Sequence, residues 1–110
     1  MLDPTVPALV LLSTFPSADK AAEAARVLVE ERLAACVNLL GEVRSIYRWQ
    51  DAVSDDREAL AIIKTTPERY EALAARLLSL HPYEVPELVA LPVTKGHAPY
   101  LAWLAAQTAD

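Results

Sequence analysis

The stretch Val6-Pro7-Ala8-Leu9-Val10-Leu11-Leu12-Ser13-Thr14-Phe15 decides how the rest of this chain is read. Its middle, Ala8 to Leu12, is apolar at every position and does not alternate. A short continuous apolar run bounded by turn residues reads as a strand with both faces buried. Pro16-Ser17 stops it. Ser17 is placed to cap a helix, and Asp19 falls in the first turn, where a negative charge meets the positive end of the helix dipole.

Working outward, Ala21, Ala25, Leu28, Val29 and Leu33 recur at helical spacing, so a helix is expected to run to Leu33 or Ala34. Ala35 to Trp49 reads as a long strand, with an irregularity at Gly41. Asp51 to Asp56 reads as a polar hairpin loop. Glu58 to Thr65 is a third strand, again almost continuously apolar through Ala59-Leu60-Ala61-Ile62-Ile63. Thr66-Pro67-Glu68 combines a capping residue, a proline suited to the first helical position and an acid in the first turn. Tyr70, Leu73, Ala74, Leu77 and Leu78 then share one helical face. His81-Pro82 ends that helix, because the residue before a proline is pushed out of the helical region. Leu88 to Val93 is a fourth strand, and Pro99 to Gln107 a short terminal helix.

The order β-α-β-β-α-β plus one helix predicts an α+β sandwich of the ferredoxin-like kind, a single domain over residues 1–110. Right-handed crossovers put the first two helices on one face of the sheet. The other face would meet water and should alternate between polar and apolar, yet strands one, three and four do not. A hydrophobic content of 54% points the same way. A second copy of the chain is the expected cover, which makes the protein a homo-oligomer with apolar contacts between sheets.

Composition narrows the partners. The net charge is −5 and no basic run occurs, so phosphate backbones and anionic membranes are poor partners. A single cysteine, Cys36, rules out an intrachain disulfide. Met1-Leu2-Asp3-Pro4 has no basic segment and the first apolar run is too short for a signal peptide or a membrane span, so a cytoplasmic location is expected.

Few residues could carry chemistry. Cys36 would need a base and an electropositive pocket to act as a nucleophile, and it reads better as a small buried hydrophobe. No catalytic residue is therefore assigned, and the chain is read as a non-enzyme. His81 and His97 are the only imidazoles. Imidazole suits copper, zinc and nickel, but no ligand spacing accompanies either one, so any metal site would have to be assembled between subunits. His97 reads as a loop residue. His81-Pro82-Tyr83-Glu84-Val85-Pro86-Glu87 is denser in functional side chains, and its two prolines stiffen the backbone from which His81, Tyr83 and Glu87 hang. Tyr47 and Trp49 alternate at the end of strand two and share a face, suited to an interface or a ligand. Glu58 and Lys64 bracket strand three on one side but at opposite ends. Asp51, Asp55 and Asp56 read as a solvated tip.

Leu33-Ala34-Ala35-Cys36-Val37-Asn38, Ser45-Ile46-Tyr47-Arg48-Trp49, Glu58, Lys64-Thr65, His81-Pro82-Tyr83, Pro86-Glu87, Pro92, Gly96 and Tyr100-Leu101 with Trp103 together resemble the CutA divalent-cation tolerance family. The resemblance runs from Val10 to Leu104. It implies a ferredoxin-like fold, a compact homotrimer like that of PII signalling proteins, a cytoplasmic location and no established enzymatic activity. It also implies a divalent metal, copper above all, as the candidate cofactor. Copper-binding members use a cysteine in the first strand and two consecutive histidines before Pro-Tyr. Those positions are Ser13 and Leu80-His81 here, so His81 alone keeps a ligand type. The alternative implied by the PII likeness is a module holding a small molecule or a partner protein in the cleft between subunits. Tyr47, Trp49, Glu58, Lys64, Tyr83 and Glu87 are the residues expected at that cleft or interface. Asp51 stands where many members carry glycine.

Overall fold

A computed structural model describes residues 5–110; Met1 to Pro4, and with them the reading of the N-terminus, lie outside the described residues. The elements are β1 (Ala8–Phe15), α1 (Ala18–Glu30), β2 (Cys36–Trp49), β3 (Ala52–Thr65), a 3-10 turn (Pro67–Arg69), α2 (Tyr70–Leu80), β4 (Val89–Val93) and α3 (Ala98–Gln107). The strands form one sheet in the order β2-β3-β1-β4, with every neighbouring pair antiparallel. This is the α+β arrangement expected from the order of elements.

One face of the sheet is closed by the chain itself. Leu9, Leu11 and Phe15 of β1 and Ala59, Ala61 and Ile63 of β3 pack with Ala21, Ala24 and Leu28 of α1 and Leu73 and Leu77 of α2. Both main helices therefore lie on one face. The intervening residues point the other way. Val10, Leu12, Leu60 and Ile62 are only half-buried, and Leu40, Val89 and Leu91 are exposed. The last helix, α3, covers one corner of that face, where Leu104 packs with Ala8 and Ala35. An apolar sheet face is thus left open in the single chain, as the non-alternating strands imply.

Four local readings need correction. First, α1 stops at Glu30, not at Leu33 or Ala34. Arg32 takes a left-handed conformation with φ 60°. Its N–H bonds to the Val29 carbonyl while that of Leu33 bonds to Leu28, the paired closure of a Schellman motif. The Arg32 side chain then reaches the Ala106 and Ala109 carbonyls at the end of α3, at 2.9 and 3.0 Å. Second, Asp51 to Asp56 is not a loop. Gln50 and Asp51, with φ 49° and 62°, close a two-residue turn, and β3 begins at Ala52. Aspartate tolerates this backbone better than most residues, so the hairpin forms without glycine at position 51. The strand was hidden because both of its faces are solvated here: Arg44 grips Asp55 at 2.9 and 2.7 Å, and Arg57 meets Glu42 at 2.9 Å. Third, Thr66 makes no side-chain cap; Pro67 opens a 3-10 turn that leads into α2. Fourth, Leu78 is exposed, because α2 turns Leu73 and Leu77 into the core, with Tyr70 and Leu80 packed at its edge, and leaves Leu78 on the outer side. The expected irregularity at Gly41 is present as a shift of register between Leu40 and Val43.

Candidate functional site

The segment from His81 to Leu88 leaves α2, crosses the end of β1 and returns as β4. Proline at position 82 holds His81 extended, with φ −77° and ψ 133°. The imidazole, 8% exposed, stacks on Phe15 with centroids 4.2 Å apart and planes 19° apart. Its two nitrogens have separate partners. Tyr83 N–H donates to Nδ1 at 3.2 Å, and Nε2 lies 2.8 Å from the Thr14 carbonyl. A nitrogen that accepts a hydrogen bond carries no proton, so the ring is neutral and its single N–H, on Nε2, donates to Thr14. Burial pushes the His81 pKa below its usual 6.5 and favours this neutral form.

His81 thereby fixes the backbone of Tyr83. The Tyr83 hydroxyl donates to Glu58 Oε2 at 2.6 Å, and Glu58 is itself 8% exposed. Burial, reinforced by Glu58, raises the Tyr83 pKa far above that of a free phenol, so Tyr83 remains a neutral donor. On β2, the Tyr47 hydroxyl donates to Asp56 at 2.5 Å, a bond that raises the Tyr47 pKa too. The pairing of Val43 with Glu58 and of Tyr47 with Ser54 puts Tyr47, Trp49 and Glu58 on one face of the hairpin.

These groups surround a cleft of about 660 Å³. Of the residues singled out in the sequence, Tyr47, Trp49, Glu58, Tyr83 and Glu87 all line it. Lys64 does not: it lies over the Tyr100 ring, 5.9 Å from its centroid, by the second hollow of the chain near α3. Thr14, Ser45, Ile46, Glu84 and Val85 complete the lining and were not anticipated. Glu84 and Val85 belong to the stiff segment already singled out. Ser45 alternates with Tyr47 and Trp49 along β2, a local signal that could have found it, whereas Thr14 carries none, because only strand pairing brings it to the cleft.

The remaining candidates lie apart. Cys36 is half-buried and pairs with Lys64, which faces Val10. Thr14, the partner of His81, is four residues further along β1, roughly 13 Å at the usual rise per strand residue. His81 is thus no base for Cys36. His97 precedes α3 as its capping residue without a side-chain cap. Asp55 is paired with Arg44, and Asp51 sits in the turn.

The residues present do not fit the copper set that the resemblance implies. Both His81 nitrogens are engaged, and Leu80 packs against the core. Ser13 is fully buried, with its hydroxyl unpaired. Among the described residues no three histidine, cysteine or acidic side chains are grouped to hold a metal ion.

The fold and the sequence have known counterparts. The family model of the CutA1 divalent ion tolerance protein matches residues 9–107. The chain is 50% identical over 99 residues to the divalent-cation tolerance protein CutA of Thermus thermophilus, covering 90% of this chain and 96% of that one. A solved structure of the Thermus thermophilus divalent cation tolerance protein superposes with a TM-score of 0.90 at 49% identity, covering 93% of this chain and 99% of that chain. The Arabidopsis thaliana protein named "Protein CutA, chloroplastic" is 42% identical over 100 residues, which span 91% of this chain and 55%, about half, of that longer protein.

Proposed function

This chain belongs to the CutA1 divalent ion tolerance family, and from that premise we propose that it acts in divalent-cation tolerance as a non-enzymatic homotrimer whose working site is the Glu58–Tyr83 cleft. The observation that carries the choice of site is the engagement of both His81 nitrogens. A ligand to copper needs a free ring nitrogen, and His81 would have to abandon either Thr14 or the Tyr83 backbone to supply one. Any divalent metal is therefore held weakly, and a small molecule or a partner protein in the cleft is the favoured ligand.

The homotrimer is supported by the open apolar face around Leu12, Leu60 and Ile62, which one chain leaves uncovered. A cytoplasmic location belongs to the same reading, supported by a free, unpaired Cys36. Among the described residues no helix is long and apolar enough to cross a membrane.

The test is calorimetric titration of chelator-stripped protein with Cu²⁺ and Zn²⁺, on the natural chain and on His81→Ala. The expected result is weak binding that the substitution leaves unchanged. Saturable binding at micromolar concentration or tighter, lost in His81→Ala, would overturn the assignment and restore a metal site on His81.

A further inference from the structure

We propose that the cleft selects a small organic cation, an amine or quaternary ammonium group, by pairing it with Glu58 and laying it against the aromatic wall of Tyr47 and Trp49. The inference rests on the reading of the cleft as the working site and names the class of ligand that site takes.

The lining has one sign of charge. Glu58, Glu84 and Glu87 border the cleft, and no lysine or arginine does. The contrast with the opposite face of the same β2–β3 hairpin is sharp. There the acids are neutralised side chain by side chain, Asp55 by Arg44 and Glu42 by Arg57. Among the described residues none of the three cleft carboxylates is paired with a cation. The two phenols do not relieve the charge, because both are held neutral and each donates its proton to an acid. Glu58, almost buried on the wall, meets an apolar surround in which an opposite charge is worth more than in water.

The same lining argues against both an anion and a bare metal ion. An anion would face carboxylates without a positive partner. A metal ion wants several hard donors converging on a point, and no such group exists among the described residues. Aromatic faces are poor ligands for a hydrated ion but favourable for a weakly hydrated organic cation, which a ring face attracts through its quadrupole. Trp49 and Tyr47 lie two residues apart on one strand and so present their rings on one side. A volume of about 660 Å³ suits a molecule of several heavy atoms and exceeds what a single ion needs.

The assembled protein would be titrated calorimetrically with tetramethylammonium and putrescine, beside succinate and glycerol as anionic and neutral probes of similar size. The natural chain is compared with Glu58→Gln, which keeps shape and removes charge, and with Trp49→Leu. The expected result is saturable binding of the two cations, weakened at least tenfold by Glu58→Gln and several-fold by Trp49→Leu, with no binding of succinate. Binding of succinate or glycerol in preference to the cations would overturn the cationic selectivity and leave the cleft standing as a binding site. Cation binding untouched by either substitution would place the cations elsewhere and overturn the inference. The copper titration on His81→Ala reports independently on the proposed function.

Discussion

Leu11 and Leu12 are neighbours in sequence and identical in chemistry, and the fold gives them opposite surroundings. Leu11 is sealed under α1 and α2. Leu12 faces the side of the sheet that the chain does not cover, between Val89 and Ile62, and stays half-buried. The difference extends along whole strands, because successive strand residues point to opposite faces. What it teaches is that this sheet was built with two apolar faces and that one chain closes only one of them, since α3 covers just a corner of the other. Apolar residues on the second face add nothing to a monomer's stability that would explain their number, but they suit contact with another copy.

The comparison can be broken or sharpened at three levels. The largest effect is expected from truncating its two leucines. Leu11→Ala should cost about 2–5 kcal/mol in denaturant unfolding, through lost burial and the cavity left behind. Leu12→Ala, measured on dilute monomer, should cost roughly 1 kcal/mol, in proportion to its partial burial. Equal losses would show that the two faces are alike and would break the comparison. Next in size is a charge on the open face. Ile62→Glu should leave the helical and strand signals intact while the mass measured by light scattering falls from oligomer to monomer. An unchanged mass would mean that another surface holds the copies together.

The smallest effect lies where the closed face meets a titrating group. His81 stacks on Phe15 and is held neutral, with its pKa below 6.5. In the unfolded chain a histidine takes up a proton near 6.5, so below that pH the unfolded state binds more protons than the folded one. Stability should therefore be full above pH 6.5 and fall as the pH is lowered through that value. Protonation at Nδ1 would also set a proton against the Tyr83 N–H and loosen the link to Glu58. Unfolding midpoints measured from pH 8 to pH 5 should slope downward in the natural chain and less so in His81→Gln. A slope that survives the substitution would assign the titration to a group other than His81.

Much of the candidate site could be read before the fold was known, because its residues announce themselves locally. Tyr47 and Trp49 share a face by strand alternation alone, and prolines at 82 and 86 mark a stiff segment that carries Tyr83 and Glu87. Lys64 misled: strand alternation already set it at the opposite end of strand three from Glu58, and the structure keeps it there, over the Tyr100 ring and away from the cleft. The polar stretch Ser54-Asp55-Asp56 also misled. Polar residues in succession suggest a loop, whereas here they form the exposed strand of a projecting hairpin whose partners Arg44 and Tyr47 lie on the other strand.

By itself the sequence determined the order of elements, the existence of an apolar second face and the family, because periodicity, proline placement and motif spacing are local properties of the chain. Only the tertiary structure decided the fate of His81. Two hydrogen bonds, one to a carbonyl 67 residues away in β1 and one to a backbone amide two residues on, turn a plausible metal ligand into the brace of a cleft. No pattern along the chain encodes that outcome, because a side chain's chemistry is set by which of its polar atoms are already satisfied, and that is settled by packing between distant strands.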